Sequence, residues 1–183
     1  MTPVPRLATE RLLLRGFEPG DVEPYVAMVA DPEVTRYLSD GRPLPRAEAW
    51  RQLAMFAGHW ALRGFGVWAV EERATGAFVG RIGCFEPEGW PALEVAYTLA
   101  RSAWGRGYAR EGAAAALAYA REVLGRDEVV SIIRPANAGS IGVARALGAE
   151  PAETVEFFGA PATLYRYPRA GTRASPAVAP QTA

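Results

Sequence analysis

Tyr97-Thr-Leu-Ala-Arg-Ser-Ala-Trp-Gly-Arg-Gly-Tyr-Ala-Arg110 opens as a strand, turns through two glycines and enters a long Ala-rich helix. At such a junction the backbone N–H groups of the turn converge with the positive end of the helix dipole, so the segment reads as an anion site suited to a phosphate. Gly105 and Gly107 remove side chains that would block close approach, while Arg106 and Arg110 add positive charge beside them. The dinucleotide fingerprint G-x-G-x-x-G fails because its third glycine position is Arg110. Taken alone, the same residues also suit a plain glycine turn before a helix.

Working outward, the strand entering the loop covers residues 93–100, and the helix leaving it covers 108–124, closed by Gly125. Upstream, Arg11-Leu-Leu-Leu-Arg15 suits a first strand, Asp21 caps a helix over 22–30, and apolar spacing predicts a second helix over 46–63. Strands over 66–71 and 77–85 flank Arg73-Ala-Thr-Gly76, a hairpin composition. Downstream come a strand over 129–133, a short helix over 140–147 closed by Gly148, and an antiparallel pair, 154–158 and 163–167, around Gly159-Ala-Pro161. Strand, helix, strand, helix implies an α/β fold with a partly parallel sheet. Residues 1–167 are expected to form one domain, and the Pro/Ala/Ser/Thr tail, 168–183, to be disordered.

Composition narrows the chemistry. The 183 residues are 50% hydrophobic and 22% charged, an ordinary globular balance, and 20 basic against 20 acidic residues leave no footprint for broad nucleic-acid binding. Every basic residue is Arg, so a Walker phosphate loop and Schiff-base catalysis both lack their Lys. His59 and Cys84 are the only His and Cys, which excludes zinc sites of two or more His or Cys and any intrachain disulfide. No metal is expected. Without a leader or a membrane span in its sequence, the protein is expected to be cytoplasmic.

The order of elements, the glycine loop, the later Asn137-Ala-Gly-Ser140 … Ala146-Leu-Gly148 segment and the opening Thr9-Glu-Arg-Leu-Leu-Leu-Arg15 together resemble the GNAT acyltransferase superfamily, over roughly residues 6–167. Within it they look most like the branch containing ribosomal-protein N-terminal acetyltransferases. The resemblance implies a mixed sheet of about six to seven strands flanked by about four helices, with strand 93–100 splayed from strand 129–133 to form a cofactor cleft. It also implies that acetyl-coenzyme A is the cosubstrate. Tyr97, Thr98 and Leu99 would then offer backbone groups to the pantetheine arm, and Trp104, Gly105, Arg106, Gly107, Tyr108, Ala109 and Arg110 would hold the pyrophosphate. Trp104 stands where the family usually has Gln or Arg, which removes one polar contact. Asn137 would contact the cofactor, and is otherwise a turn residue.

Direct acetyl transfer needs a neutral amine, a stabilised oxyanion and a proton for the thiolate. The resemblance places Glu94 as general base, and alternation puts it on one face with Ala96 and Thr98. The family's usual acid, a Tyr seven residues after the Asn, is Ala144 here, leaving Ser140 to donate to the sulfur or simply to cap a helix. Ala138-Gly-Ser-Ile-Gly142 mimics a hydrolase elbow, but that fold needs a downstream His. Glu86, Glu88 and Trp90 suit attraction of a cationic amine, His59 and Cys84 suit the core, and Glu111 suits the helix dipole. The expected activity is N-acetylation of a protein N-terminal or small-molecule amine, and the alternative is a non-catalytic acyl-coenzyme A sensor. The expected partners are therefore acetyl-coenzyme A and an amine, with neither nucleic acid nor membrane, and a homodimer among the open oligomeric states.

Overall fold

In the computed structural model, which describes residues 3–169, one sheet carries the chain. Its strands are β1 (Leu7–Ala8), β2 (Leu12–Arg15), β3 (Val67–Glu72), β4 (Ala77–Phe85), β5 (Leu93–Leu99), β6 (Val129–Ile133), β7 (Glu150–Phe157) and β8 (Ala160–Arg166), in the order β1-β2-β3-β4-β5-β6-β8-β7. Only β5 and β6 pair in parallel, and α4 (Tyr108–Glu122) connects them; the other neighbours are antiparallel. The remaining helices are α1 (Val22–Val29), α2 (Pro32–Thr35), α3 (Arg46–Arg63) and α5 (Ala138–Ala146).

Period-two alternation divides the apolar side chains between two cores. Ile82, Cys84, Leu93 and Val95 join Leu12, Leu14 and Trp68 beneath the small Ala113, Ala116 and Ala120 of α4. Phe85 and Val67 face the other way, onto Tyr25, Met28, Val29, Leu53 and Phe56 of α1 and α3. Phe56 meets Phe85 edge-on with ring centroids 5.5 Å apart, and Trp68 meets Tyr119 at 5.0 Å. Each such pair adds about 0.5–1.5 kcal/mol beyond the buried area. Arg15, itself buried, ties β2 to Asp21 at 2.7 Å and to Glu71 of β3 at 2.9 Å.

The described residues hold eight strands and five helices, slightly more than expected. β1 has two residues and α2 four, too few for periodicity to show. β7 begins at Glu150, ahead of the expected 154, because Pro151 sits in an edge strand beside a register shift, where a missing N–H is tolerated. The last turn falls on Phe158-Gly159, both at positive φ (48° and 68°), so Ala160 and Pro161 belong to β8. Of the expected tail, Pro168 and Arg169 are described and 170–183 lies outside the described residues. Among the described residues no helix is long and apolar enough to cross a membrane.

Candidate active site

β5 and β6 pair only at Leu93↔Val129 and Glu94↔Val130 and then part. Ser131 fills the apex of the wedge, its hydroxyl donating to the Val95 carbonyl at 2.7 Å and meeting the Tyr167 hydroxyl at 2.9 Å. Beyond the apex β5 keeps β4 as its only strand partner, so its backbone groups on the open side face a cleft. Two cavities meet there. One, about 570 Å³, is lined by Tyr97, Thr98, Leu99, the glycine loop and the start of α5. The other, about 500 Å³, runs between β5 and α3 and contains Arg81, Trp90 and Glu94. Tyr97, Thr98, Asn137 and Ser140 line both.

The glycine loop ends in Gly107, the N-cap of α4, with φ of 79° and no side chain capping the helix; Gly105 has φ of 73°. The first-turn N–H groups of α4 therefore have no side-chain acceptor, the arrangement that binds an anion. The loop is clamped from behind. Glu72 of β3 accepts hydrogen bonds from Tyr108, Arg106 and Thr75, which hold its carboxyl below the usual range, the Tyr108 bond contributing most. Arg11 donates to the Arg106 carbonyl at 2.8 Å and pairs with Glu111 at 2.7 Å, and Thr9 donates to Glu111 at 2.6 Å.

This clamp separates the expected loop residues. Trp104, Gly105, Gly107, Tyr108, Ala109 and Arg110 line the first cavity, whereas the Arg106 guanidinium turns away to Glu72 and stacks 4.5 Å over the Tyr108 ring. Trp104 keeps a polar contact, its indole N–H donating to the Leu99 carbonyl at 2.9 Å. Glu111 does more than complement a dipole, since it anchors β2 and its preceding turn to α4.

At α5, Asn137 is the N-cap: its Oδ1 accepts from the Ser140 N–H at 3.1 Å, so Ser140 lies inside the first turn and does not cap it. That leaves the Asn137 amide NH₂ available at the junction of the cavities. The Tyr97 hydroxyl donates to the Ser140 carbonyl at 2.9 Å, and burial pushes its ionisation far up, so it stays a donor. Glu94 accepts from the Trp90 indole at 2.8 Å and from the Ile132 N–H at 3.4 Å across the wedge. Burial raises its pKa, while these bonds and the nearby Arg81 charge pull the other way.

Several other candidates have structural partners. Glu86 pairs with Arg126, and Glu88, whose side chain is fully exposed, meets Arg63 at 3.1 Å. His59 is buried, with Nδ1 2.7 Å from the Phe65 carbonyl and Nε2 accepting from the Glu86 N–H at 3.2 Å, the pattern of a neutral ring. The Cys84 thiol, buried under α4, is pushed up to about 12 by burial and is not a nucleophile. The sequence reading passed over Glu72 and Arg81; for Arg81 the signal was a lone charge inside the apolar run 77–85.

The acetyltransferase (GNAT) domain family matches residues 11–150. The chain belongs to this family. Among its relatives, protein YkkB of Bacillus subtilis strain 168 is 30% identical over 168 residues, spanning 87% of this chain and 94% of YkkB. The crystal structure of an acetyltransferase from Agrobacterium tumefaciens strain C58 superposes with a TM-score of 0.81 at 29% identity, covering 91% of this chain and 96% of that one. The ribosomal L7/L12 alpha-N-protein acetyltransferase RimL, solved in complex with coenzyme A, shares the fold with a TM-score of 0.73 at 17% identity, over 90% and 98% of the two chains.

Proposed function

We propose that residues 1–167 act as one acetyltransferase domain that moves the acetyl group of acetyl-coenzyme A directly onto a primary amine, of a protein N-terminus or a small molecule. One observation carries this reading: where β5 leaves β6, a cavity that reaches an uncapped helix N-terminus meets a cavity that holds a half-buried carboxylate. The coenzyme A in the RimL complex, and the family itself, support the choice of cosubstrate.

The residues fit such a ligand. Backbone amides from Gly105 to Arg110 would take the pyrophosphate, the Trp104 N–H already donating to the Arg101 carbonyl at 3.1 Å, with Arg106 contributing only its amide because Glu72 holds its guanidinium. The open side of β5 at Tyr97–Leu99 and the Asn137 NH₂ would take the amide-rich arm. When bound, acetyl-coenzyme A supplies an activated acyl thioester. Glu94 would accept the proton the attacking amine must lose, its raised pKa making it a stronger base than an exposed carboxylate. The Ser140 hydroxyl would donate toward the departing sulfur, in the place Ala144 leaves without a phenol. Backbone N–H groups at the wedge would stabilise the developing oxyanion.

Calorimetric titration with acetyl-coenzyme A, followed by thiol release with peptide N-termini and small amines, tests the reading. The expected result is saturable binding and amine-dependent release. Binding without release for any amine would favour the acyl-coenzyme A sensor, and absence of binding would remove both.

A further inference from the structure

Arg81 points from β4 into the second cavity, on the sheet face shared with Phe85 and with Glu94, Ala96 and Thr98 of β5. It is only 8% exposed, its guanidinium lies over the Phe56 ring at 4.9 Å, and its Nε has no hydrogen-bond partner. None of the ion pairs among the described residues includes it. Directly across the ladder is Thr98, also 8% exposed, whose Oγ1 is likewise buried without a partner. A buried guanidinium nitrogen and a buried hydroxyl left without partners on adjacent strands are costly, and native proteins retain such groups where a ligand completes them.

The rest of the lining has the same sign. Arg51 and Arg134 also border this cavity outside any described ion pair, Arg134 giving its donors to the carbonyls of Ser39, Ala160 and Pro161. Of the two carboxylates there, Glu88 is paired with Arg63, and Glu94 is the proposed base. Resting on the acetyltransferase reading, we propose that the acceptor is a small amine bearing its own carboxylate, with the carboxylate bound by Arg81 and Thr98 and the amine presented to Glu94. A single buried guanidinium matches a monoanion in charge and offers the paired N–H geometry a carboxylate takes. The aromatic wall of Phe85, Trp90, Phe157 and Phe158 leaves room for an apolar body between the two polar ends.

The test uses matched acceptors: amino acids whose amine and carboxylate are separated by an apolar chain or ring, their carboxamides, and the amines left when the carboxylate is removed. Thiol release by the wild-type chain should favour the carboxylate member in kcat/KM by about 30-fold or more, the scale of losing one partner of a buried charged pair. Arg81→Met should collapse that ratio to within about threefold of unity, Arg81→Lys should keep part of it, and Thr98→Val should reduce it. A single cooperative melting transition and a far-UV circular dichroism spectrum matching wild type report that Arg81→Met folds. A wild-type preference for the uncharged member, or a ratio unchanged in Arg81→Met, would overturn the proposal. If no amine of any kind releases thiol, the acetyltransferase reading fails separately. Acetate titrated against the Trp90 indole resonance then decides the anion site: binding by wild type and not by Arg81→Met supports it, and identical responses remove it.

Discussion

As the proposed base, Glu94 would carry two demands that conflict in water: to be charged so that it accepts a proton, yet to sit where an amine loses its own. Burial resolves the conflict by raising its pKa, and the Trp90 and Ile132 hydrogen bonds keep the charged form accessible. Glu94→Gln should lower turnover by about 10²–10⁴-fold, with partial recovery at high pH, where free amine is plentiful, and little change in acetyl-coenzyme A affinity. The wild-type rate should fall as pH drops through a pKa above the ordinary carboxylate range, and that acid limb should vanish in the variant. A variant with wild-type turnover and an unshifted profile would remove Glu94 from the mechanism. Cys84 gives the opposite expectation, since a thiol held near 12 forms no acyl-enzyme: Cys84→Ala should stay active with sequential kinetics, and ping-pong kinetics in the wild type would contradict direct transfer. The face Glu94 shares with Ala96 and Thr98 was legible because strand alternation follows from the backbone alone, whereas its proposed role came from the resemblance. Arg81 was not legible, because a charge in an apolar strand declares itself only when the neighbouring strand and helix show that its Nε is left without a partner.

The wedge and the loop are properties of elements. Parallel pairing stops after two residues on each strand, so β5 offers one edge to β4 and the other to the cleft. The loop works because Gly105 and Gly107 hold left-handed backbone that turns the α4 amides toward the cavity. A Cβ on Gly107 would lie 3.3 Å from the Arg11 guanidinium, the group that holds the Arg106 carbonyl. Gly107→Val combines a left-handed β-branched residue with pressure on that clamp, and should weaken acetyl-coenzyme A binding at least about tenfold, roughly 1.4 kcal/mol. Calorimetry on the folded variant checks this, and an unchanged titration would sink the loop assignment. The glycines and the helix start were readable from residues 104–110. The clamp was not: Glu72 and Arg11 are far from the loop in sequence and reach it only through β2–β3 pairing. For the same reason Arg106 read as a phosphate ligand until its carboxylate partner was in view.

At the scale of the molecule, the carboxylates sort into two classes that respond oppositely to acid. Glu72 is lowered by its hydrogen bonds, that from Tyr108 first, so its contribution to stability is fully present above the ordinary carboxylate pKa of about 4.3 and is lost as pH falls through the lowered folded value. Glu94 is raised by burial. The folded protein then keeps that proton where the unfolded chain has lost it, and stability declines as pH rises from about 4.3 through the raised folded value. Near neutrality Glu72 therefore stabilises the fold while Glu94 costs it stability, as expected of the proposed base. Melting curves of wild type, Glu72→Gln and Glu94→Gln across pH separate the two. At pH 7 the first variant should melt below wild type and the second above it, each by a few degrees. On acidification the Glu94→Gln difference should shrink between the raised folded value and about pH 4.3, and the Glu72→Gln difference only below about pH 4.3, as the wild-type carboxyls gain the protons that the amides mimic. Two differences of the same sign at pH 7 would mean that Glu94 belongs with the structural carboxylates, and the strained base would have to be sought elsewhere in the cleft.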